Sequence, residues 1–179
     1  ATLHFDPDKG LSIHGRGQAV DLADFGHIAG LAWSGNGTAG FAVEGPYEDI
    51  AIASQVALRD FTFWGFGLGV AEGRVDYHDR VLSLPGVSGQ KGKTQYFGQG
   101  ELRWSPSGEL FTRADLKIPK GQSSDVVDVI AGLSPSLEVF QGTVGGDAAG
   151  SLHLEGPASR FGGTVTLDFA DTTYYGRRL

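Results

Sequence analysis

The chain has no cysteine among its 179 residues, and neither a signal peptide nor a long apolar run is visible in it. Without cysteine, a disulfide framework and thiolate chemistry are both excluded. Because no apolar run approaches the roughly 20 residues of a membrane-spanning helix, we expect no transmembrane span within this sequence. The chain begins at Ala1 without a positively charged and apolar leader, so we expect a processed chain or a fragment of a longer protein.

Basic residues are also scarce. The 14 Lys and Arg residues stand against 21 Asp and Glu residues, for a formal net charge of −7. Binding to nucleic acid needs clustered cations that neutralise phosphates, and docking to an anionic membrane surface needs a polybasic segment. The basic clusters here are small, Lys91 with Lys93 and Arg177 with Arg178. The composition therefore argues against a nucleic-acid partner and against charge-driven membrane docking.

Glycine is abundant, with 29 residues, and the absence of a period of three excludes a collagen-like chain. Apolar residues make up 40% of the chain and alternate with polar ones, so disorder is not expected. In such a sequence glycine marks turns, bulges and bends between many short strands. The composition therefore predicts an all-β fold.

Alternation of apolar and polar residues is clearest in residues 110–118. One set of alternate residues is Leu110, Thr112, Ala114, Leu116 and Ile118, and the set between them is Phe111, Arg113, Asp115 and Lys117. A strand that is apolar on one side and mostly charged on the other is typical of an antiparallel sheet with one wet surface. The same pattern between residues 69 and 118 predicts a β meander.

Two segments have helical character. Residues 123–132 begin with serines that can cap a helix, carry Asp125 in the first turn and end at Gly132. Residues 18–25 form a weaker candidate. Because both are short, we expect them to cover one side or one end of the sheet.

The stretch from residue 35 to residue 65 returns at an offset of 111 residues. Within residues 41–65, six positions are identical to their counterparts, where composition alone gives about two. The identical pairs are Glu44 and Glu155, Gly45 and Gly156, Pro46 and Pro157, Asp60 and Asp171, Thr62 and Thr173, and Gly65 and Gly176. A long period favours an extendable repeat over a closed domain. We expect residues 1–179 to be a single fragment of a longer repeat protein, with units at about 1–111 and 112–179, the second incomplete.

Residues able to perform chemistry do not form a recognisable site. The five histidines lack metal-ligand spacing, and His153, in an alternating strand, is expected to face away from the core. Carboxylates at positions 48 and 49, and at 76 and 79, lie in or beside turns, and no Gly-x-Ser-x-Gly elbow is present. The Gly-Lys-Thr at 92–94 lacks the upstream glycine and the following helix of a phosphate loop. We therefore predict no enzyme activity, catalytic residue, metal or cofactor.

Aromatic residues are concentrated in residues 61–66. Strand alternation places Phe61 and Phe63 on one face and Trp64 and Phe66 on the other, which favours a core or a groove lining over a wet platform. Two alternatives stay open: a structural repeat, and a β-sandwich that stacks carbohydrate on tryptophan side chains. The three tryptophans are Trp33, Trp64 and Trp104.

Several segments resemble the AsmA/TamB-like superfamily of bacterial envelope proteins. They are residues 20–23 (VDLA), 37–50 (GTAGFAVEGPYEDI), 58–63 (LRDFTF), 73–77 (GRVDY) and 81–84 (VLSL). The resemblance covers about residues 18–100, with a second partial copy at about residues 125–175. It implies an elongated antiparallel sheet curled into a U-shaped groove, often called a β-taco.

The resemblance also implies a function and a location. Proteins of this superfamily are anchored at the inner membrane of diderm bacteria and cross the periplasm. The expected partners are phospholipid acyl chains moving between the two membranes, and an outer-membrane barrel protein if the segment instead assists outer-membrane protein assembly. It implies no catalytic motif.

The residues predicted to line the groove are the apolar ones at alternate positions of the predicted strands. They are Phe41, Val43, Ile50, Ile52, Val56, Leu58, Val75, Tyr77, Leu82, Leu84, Leu102, Trp104, Leu110, Leu116, Ile118, Leu152, Leu154, Val165, Leu167 and Phe169.

Overall fold

The structure is a computed structural model that describes residues 1–6, 10–29, 31–46, 48–131, 135–160 and 162–178. The strands are β1 (Thr2–Asp6), β2 (Gly10–Asp21), β3 (Trp33–Gly45), β4 (Ala51–Phe63), β5 (Phe66–His78), β6 (Val81–Lys91), β7 (Thr94–Trp104), β8 (Leu110–Gln122), β9 (Val144–Pro157), β10 (Gly162–Tyr174) and β11 (Arg177–Arg178). The α-helices are α1 (Leu22–Ala29) and α2 (Ser123–Ala131), and a 3₁₀ helix spans Pro135–Phe140.

The strands form a single sheet in which each strand pairs antiparallel with the next one in the chain. Among the described residues no pairing joins the first strand to the last, so the sheet is open and does not close into a barrel. Both helices interrupt the meander at the same kind of place, between two long strands that pair with each other. The predicted all-β fold, an antiparallel sheet with one or two short helices, is confirmed.

The two helices differ in how well the sequence predicted them. Helix α2 occupies the predicted segment, and the predicted end at Gly132 lies outside the described residues. The prediction of a helix at residues 18–25 is wrong in its first half, because β2 continues to Asp21 by pairing with β3. Helix α1 begins only at Leu22, where the Asp21 carboxylate accepts a hydrogen bond from the Ala23 N–H at 2.9 Å. That bond satisfies one of the unpaired N–H groups at the helix start.

One face of the sheet is mainly apolar on most of its strands. Directly opposed residues of an antiparallel pair share a face, so a row can be followed from strand to strand. Such a row crosses the sheet through Val43, Ile52, Tyr77, Leu82 and Leu102, each paired with the next. The apolar pattern of each strand therefore meets the same pattern in its neighbour.

The sheet curls around this apolar face. Phe66 on β5 packs against Leu152 and Leu154 on β9, although three strands lie between them. At about 4.8 Å per strand, a flat sheet would hold β5 and β9 about 19 Å apart. The contact requires the apolar face to be concave, so the sheet has the predicted form of a U-shaped groove. We call this surface the concave face.

Glycines on the concave face make room for large side chains on neighbouring strands. A Cβ at Gly15 would lie 2.5 Å from the ring of Phe41, and a Cβ at Gly98 would lie 2.3 Å from the Leu116 side chain. Both glycines pair with the strand that carries the large residue. The large side chains can therefore lie flat across the adjacent strand, which shortens the inner surface relative to the outer one and permits the curl.

The two copies found in the sequence adopt the same local structure. Strand β9 begins 111 residues after β3, and β10 begins and ends 111 residues after β4. Left-handed backbone conformations recur at the same offset in Gly35 and Gly146, Gly45 and Gly156, Asp60 and Asp171, Trp64 and Tyr175, and Gly65 and Gly176. The shared sequence therefore encodes a shared set of bulges and turns.

The residue offset between the two copies is different for the strands that precede β3 and β9. Leu11 pairs with Gly45 in the first copy, and Thr112 pairs with Gly156 in the second. Strands β2 and β8 are therefore related by an offset of 101 rather than 111, as are their ends at Asp21 and Gln122. Of the ten additional residues, one belongs to α2, which is one residue longer than α1, and nine lie between α2 and β9, in the region that contains the 3₁₀ helix.

Candidate functional site on the concave face

The cross-strand register places nineteen of the twenty predicted groove residues on the concave face. The exception, Ile50, precedes β4 and lies in the connection from β3. Burial varies across the sheet, since Leu102 on β7 is only 2% exposed whereas Phe169 on β10 is 45% exposed. The apolar surface is therefore covered at its centre and accessible at β10. Contact of these residues with lipid stays a prediction.

The turn between β4 and β5 carries an aromatic tip, made of Phe61, Phe63, Trp64 and Phe66. The Phe63 and Trp64 rings meet edge to face, with centroids 4.5 Å apart. Both pack against a buried cluster that includes Leu82 and Leu102, on β6 and β7. The tip therefore folds over the concave face.

The predicted division of the tip between two faces is wrong. Trp64 and Gly65 both have positive φ, at 45° and 85°, and together they form the turn between the strands. Alternation stops at this turn, because its residues do not continue the pleat of either strand. Phe63, Trp64 and Phe66 consequently all pack on the concave side.

The second copy contains the equivalent of this tip in Tyr174 and Tyr175. Their rings also meet edge to face, with centroids 4.8 Å apart. Whereas the first tip is packed, Tyr175 is 70% exposed. The same edge-to-face pair of rings thus recurs in the second copy.

All three tryptophans belong to one packed cluster. Trp33, Trp64 and Trp104 are partly buried against Leu82 and Leu102. Trp104 also meets the Tyr77 ring edge to face, at a centroid distance of 6.2 Å. The three tryptophan side chains therefore do not form an exposed platform on which a carbohydrate could stack. This packing weakens the carbohydrate-binding alternative.

Helix α2 lies across the concave face at the end of the strands that carries the turn between β6 and β7. It contacts β5, β8 and β9, and its Val126 and Val127 side chains are buried. The space between the helix and the sheet is a cavity of about 40 Å³ with an apolar lining that includes Leu68, Leu116 and Leu152. Since one water needs about 10–15 Å³ of such volume, this cavity has room for about three waters.

A larger apolar cleft, of about 270 Å³, lies on the other side of the helix. It is lined by Val127 and Ile130 of α2, by Phe140 of the 3₁₀ helix, and by Leu167 and Phe169 of β10. This cleft is continuous with the most exposed part of the concave face. Helix α2 therefore separates a narrow part of the groove from a wider part.

Hydrogen bonds attach the start of α2 to the turn between β6 and β7. The Asp125 carboxylate accepts from the Lys93 N–H and from the Thr94 hydroxyl, both at 2.9 Å. The Thr94 oxygen in turn accepts from the Gln122 N–H at 2.8 Å. A Cβ at Gly121 would lie 2.4 Å from the Thr94 side chain, so glycine is required there. We call the two bonds of Asp125 the latch.

A second buried polar group stabilises the same end of the groove. The Tyr96 hydroxyl lies 3.0 Å from the Val70 carbonyl and 3.1 Å from the Leu68 carbonyl, and it donates to this pair of acceptors. The bulge at Gly69, where φ is 76°, accompanies this arrangement. Burial raises the pKa of Tyr96 to about 12, because the phenolate form loses its hydration.

The convex face carries the charged side chains. His153 faces this side, and its Nδ1 lies 2.6 Å from the Asp115 carboxylate, while its Nε2 lies 3.5 Å from Glu155. The hydrogen bond between the two raises the pKa of His153 and lowers the pKa of Asp115, since each partner favours the charged form of the other. These groups are solvent-accessible, so they form a surface ion pair rather than a site.

The remaining chemical candidates form simple surface contacts. Asp49 pairs with His78 at 2.7 Å, and Asp76 pairs with Arg74 at 2.8 Å. In the part of the chain that the structure describes, no group of three or more His, Asp or Glu residues is arranged to hold a metal ion. Over those same residues, none of the helices is long and apolar enough to cross a membrane.

Sequence reasoning missed the residues that organise the end of the groove, above all Asp125, Thr94 and Tyr96. The Gly-Lys-Thr of residues 92–94 was recognisable only as a turn, and its partner Asp125 is more than thirty residues away. Glycine at 89 and 121 is the signal that could have found them, because each leaves room for one of these side chains.

Comparison of the chain with family models, with curated proteins and with solved structures finds no match. The resemblance to the AsmA/TamB-like superfamily therefore stays a prediction.

Proposed function

We propose that this segment shields lipid acyl chains on its concave face, as part of a periplasmic, inner-membrane-anchored protein of the AsmA/TamB type that moves phospholipid between membranes. The observation that carries the proposal is the continuous apolar surface from β2 to β10 on one side of an open sheet. Acyl chains need no directional contacts, so a surface of Val, Leu, Ile and Phe suffices to bind them.

The energetics of such a surface suit transport. Each methylene removed from water contributes roughly 0.8 kcal/mol, which is enough to hold a chain of many methylenes. Because the apolar rows repeat from strand to strand, equivalent positions follow one another at intervals of about 4.8 Å. A chain can therefore shift along the groove without losing its burial, while the charged convex face keeps the segment in water.

Site-specific photo-crosslinking tests the proposal with a matched pair of positions. Phe169 lies on the concave face and is 45% exposed, whereas Phe97 lies on the convex face and is 50% exposed. A benzophenone amino acid resembles phenylalanine and can replace either residue. We expect lipid adducts at position 169 and none at position 97 when the chain is produced in the periplasm of a diderm bacterium. Equal labelling at both positions, or none at position 169, would reject lipid shielding.

A further inference from the structure

Helix α2 occupies a position where it blocks the groove. It touches both β5 and β9, which belong to opposite walls of the curled sheet. Val126 and Val127 are buried there at 2% and 6% exposure, and Val129 packs against the cluster of Phe66 and Leu152. With the helix in place, a chain bound in the open cleft cannot continue past it, because the cavity beneath the helix is only about 40 Å³.

We propose that α2 is a movable plug of the groove and that Asp125 holds it closed through the latch. The inference rests on the proposed function and adds a means of regulating it. Two features make the plug removable. The apolar contacts of Val126 and Val127 have no required direction, so acyl chains can replace them on the same wall. The latch bonds Asp125 to Lys93 and Thr94, at the tip of the turn between β6 and β7.

Two further polar contacts hold the start of the helix, and neither involves Asp125. The Gln122 N–H donates to the Thr94 oxygen directly before the helix. The Ser123 hydroxyl donates to the Asp147 carbonyl at 3.2 Å, which ties the helix to β9, the strand that follows it in the chain. The latch instead ties the helix to the turn between β6 and β7, on the far side of β8. Breaking the latch therefore leaves the base of the helix attached through Gln122 and Ser123 and frees the rest of the helix to swing away from the turn.

The absence of cysteine allows the latch to be replaced by a reversible covalent bond. A Cβ at Gly92 would lie 2.7 Å from the Asp125 carboxyl carbon, so side chains at these two positions start close together, as a disulfide requires. In the double variant G92C/D125C, oxidation holds the plug closed. Reduction leaves neither latch nor disulfide, and the plug opens in the same protein.

The measurement is binding of a dansyl-labelled fatty acid to the whole 179-residue chain. We expect reduction of the double variant to raise binding about tenfold, the change that follows from losing a charge-assisted hydrogen bond. Reduction of the unaltered chain should change nothing, because it contains no cysteine. The single variants G92C and D125C control for strain at Gly92, where φ is 57°, and for loss of the carboxylate alone.

A matched pair of single substitutions tests the latch without a disulfide. Asp125→Ala should raise binding about as much as reduction does, whereas Asp128→Ala, an exposed aspartate on the same helix, should leave it unchanged. Equal binding by the oxidised and reduced double variant, with lipid adducts still formed at position 169, would overturn the plug and leave lipid shielding intact. No binding in either state, together with no adducts at position 169, would overturn both.

Discussion

Tyr96 lies across Gly89, its partner on the neighbouring strand, so that a Cβ at Gly89 would come within 2.2 Å of the tyrosine hydroxyl. The side chain thereby crosses β6 completely and reaches the Val70 carbonyl on β5. A glycine and a tyrosine thus join three strands at the point where the groove meets α2.

We expect Gly89→Ala to destabilise the chain by about 1–3 kcal/mol, because the added methyl group displaces a packed ring and breaks its hydrogen bonds. Gly86→Ala is the matched control, since a Cβ there meets nothing within 4 Å in the same strand. The free energy of unfolding in urea measures both. Equal effects of the two substitutions would contradict the role assigned to Gly89.

Tyr96→Phe should cost about 1–2 kcal/mol at neutral pH, because it removes the donor from two buried carbonyls. The pH dependence has a definite sign. Since the folded pKa of about 12 exceeds the ordinary value of 10.0, the unfolded chain ionises first and stability falls as pH rises from 10 to 12. The Phe variant should lack this part of the decline, and unfolding followed by circular dichroism at several pH values measures it.

Two buried threonines should respond in opposite directions to the same substitution. Thr112 is 1% exposed and its hydroxyl has no hydrogen-bond partner among the described residues, so Thr112→Val should stabilise the chain by about 1 kcal/mol. Thr94 is 3% exposed and bonds to both Asp125 and Gln122. Thr94→Val should therefore destabilise by about 1–3 kcal/mol. Thermal unfolding compares the two, and a shift of the same sign in both would contradict the assignment.

The ion pair of His153 and Asp115 predicts that the contribution of these two residues to stability depends on pH. Because the folded pKa of His153 is raised, its contribution to stability is present below the ordinary histidine range and is lost as pH rises through the folded value. The lowered pKa of Asp115 acts at acid pH, where its contribution is lost as pH falls. NMR titration should show the raised His153 pKa returning toward the ordinary value in Asp115→Asn. An unchanged titration would mean that the hydrogen bond does not form in solution.

Strand residues 110–118 illustrate how much the sequence predicts. Side chains of a strand alternate between faces for purely local geometric reasons, so the concave set of this strand, including Leu116 and Ile118, could be assigned before any contact was known. The repeat was predictable for a similar reason. Asp60 and Asp171 have left-handed conformations at equivalent bulges, and such local structure follows the local sequence.

The aromatic tip illustrates what alternation cannot predict. Phe63 ends β4 and Trp64 begins the turn that follows. Their burial depends on the curl that brings β6 and β7 beneath them. The curl results from small twists in many strands and from the space that glycines leave for neighbouring side chains. No single segment therefore encodes it.

The sequence by itself determined the all-β class, the apolar face of each strand, the short helix at residues 123–131 and the recurrence of one strand–turn–strand unit. These are consequences of period, composition and turn residues, which act over a few positions. The sequence implied the curl only through the resemblance, and the tertiary structure alone decided that α2 crosses the groove and that Asp125 binds the turn at Lys93 and Thr94. Each of these depends on residues far apart in the chain, whose meeting is set by the register and curvature of the whole sheet.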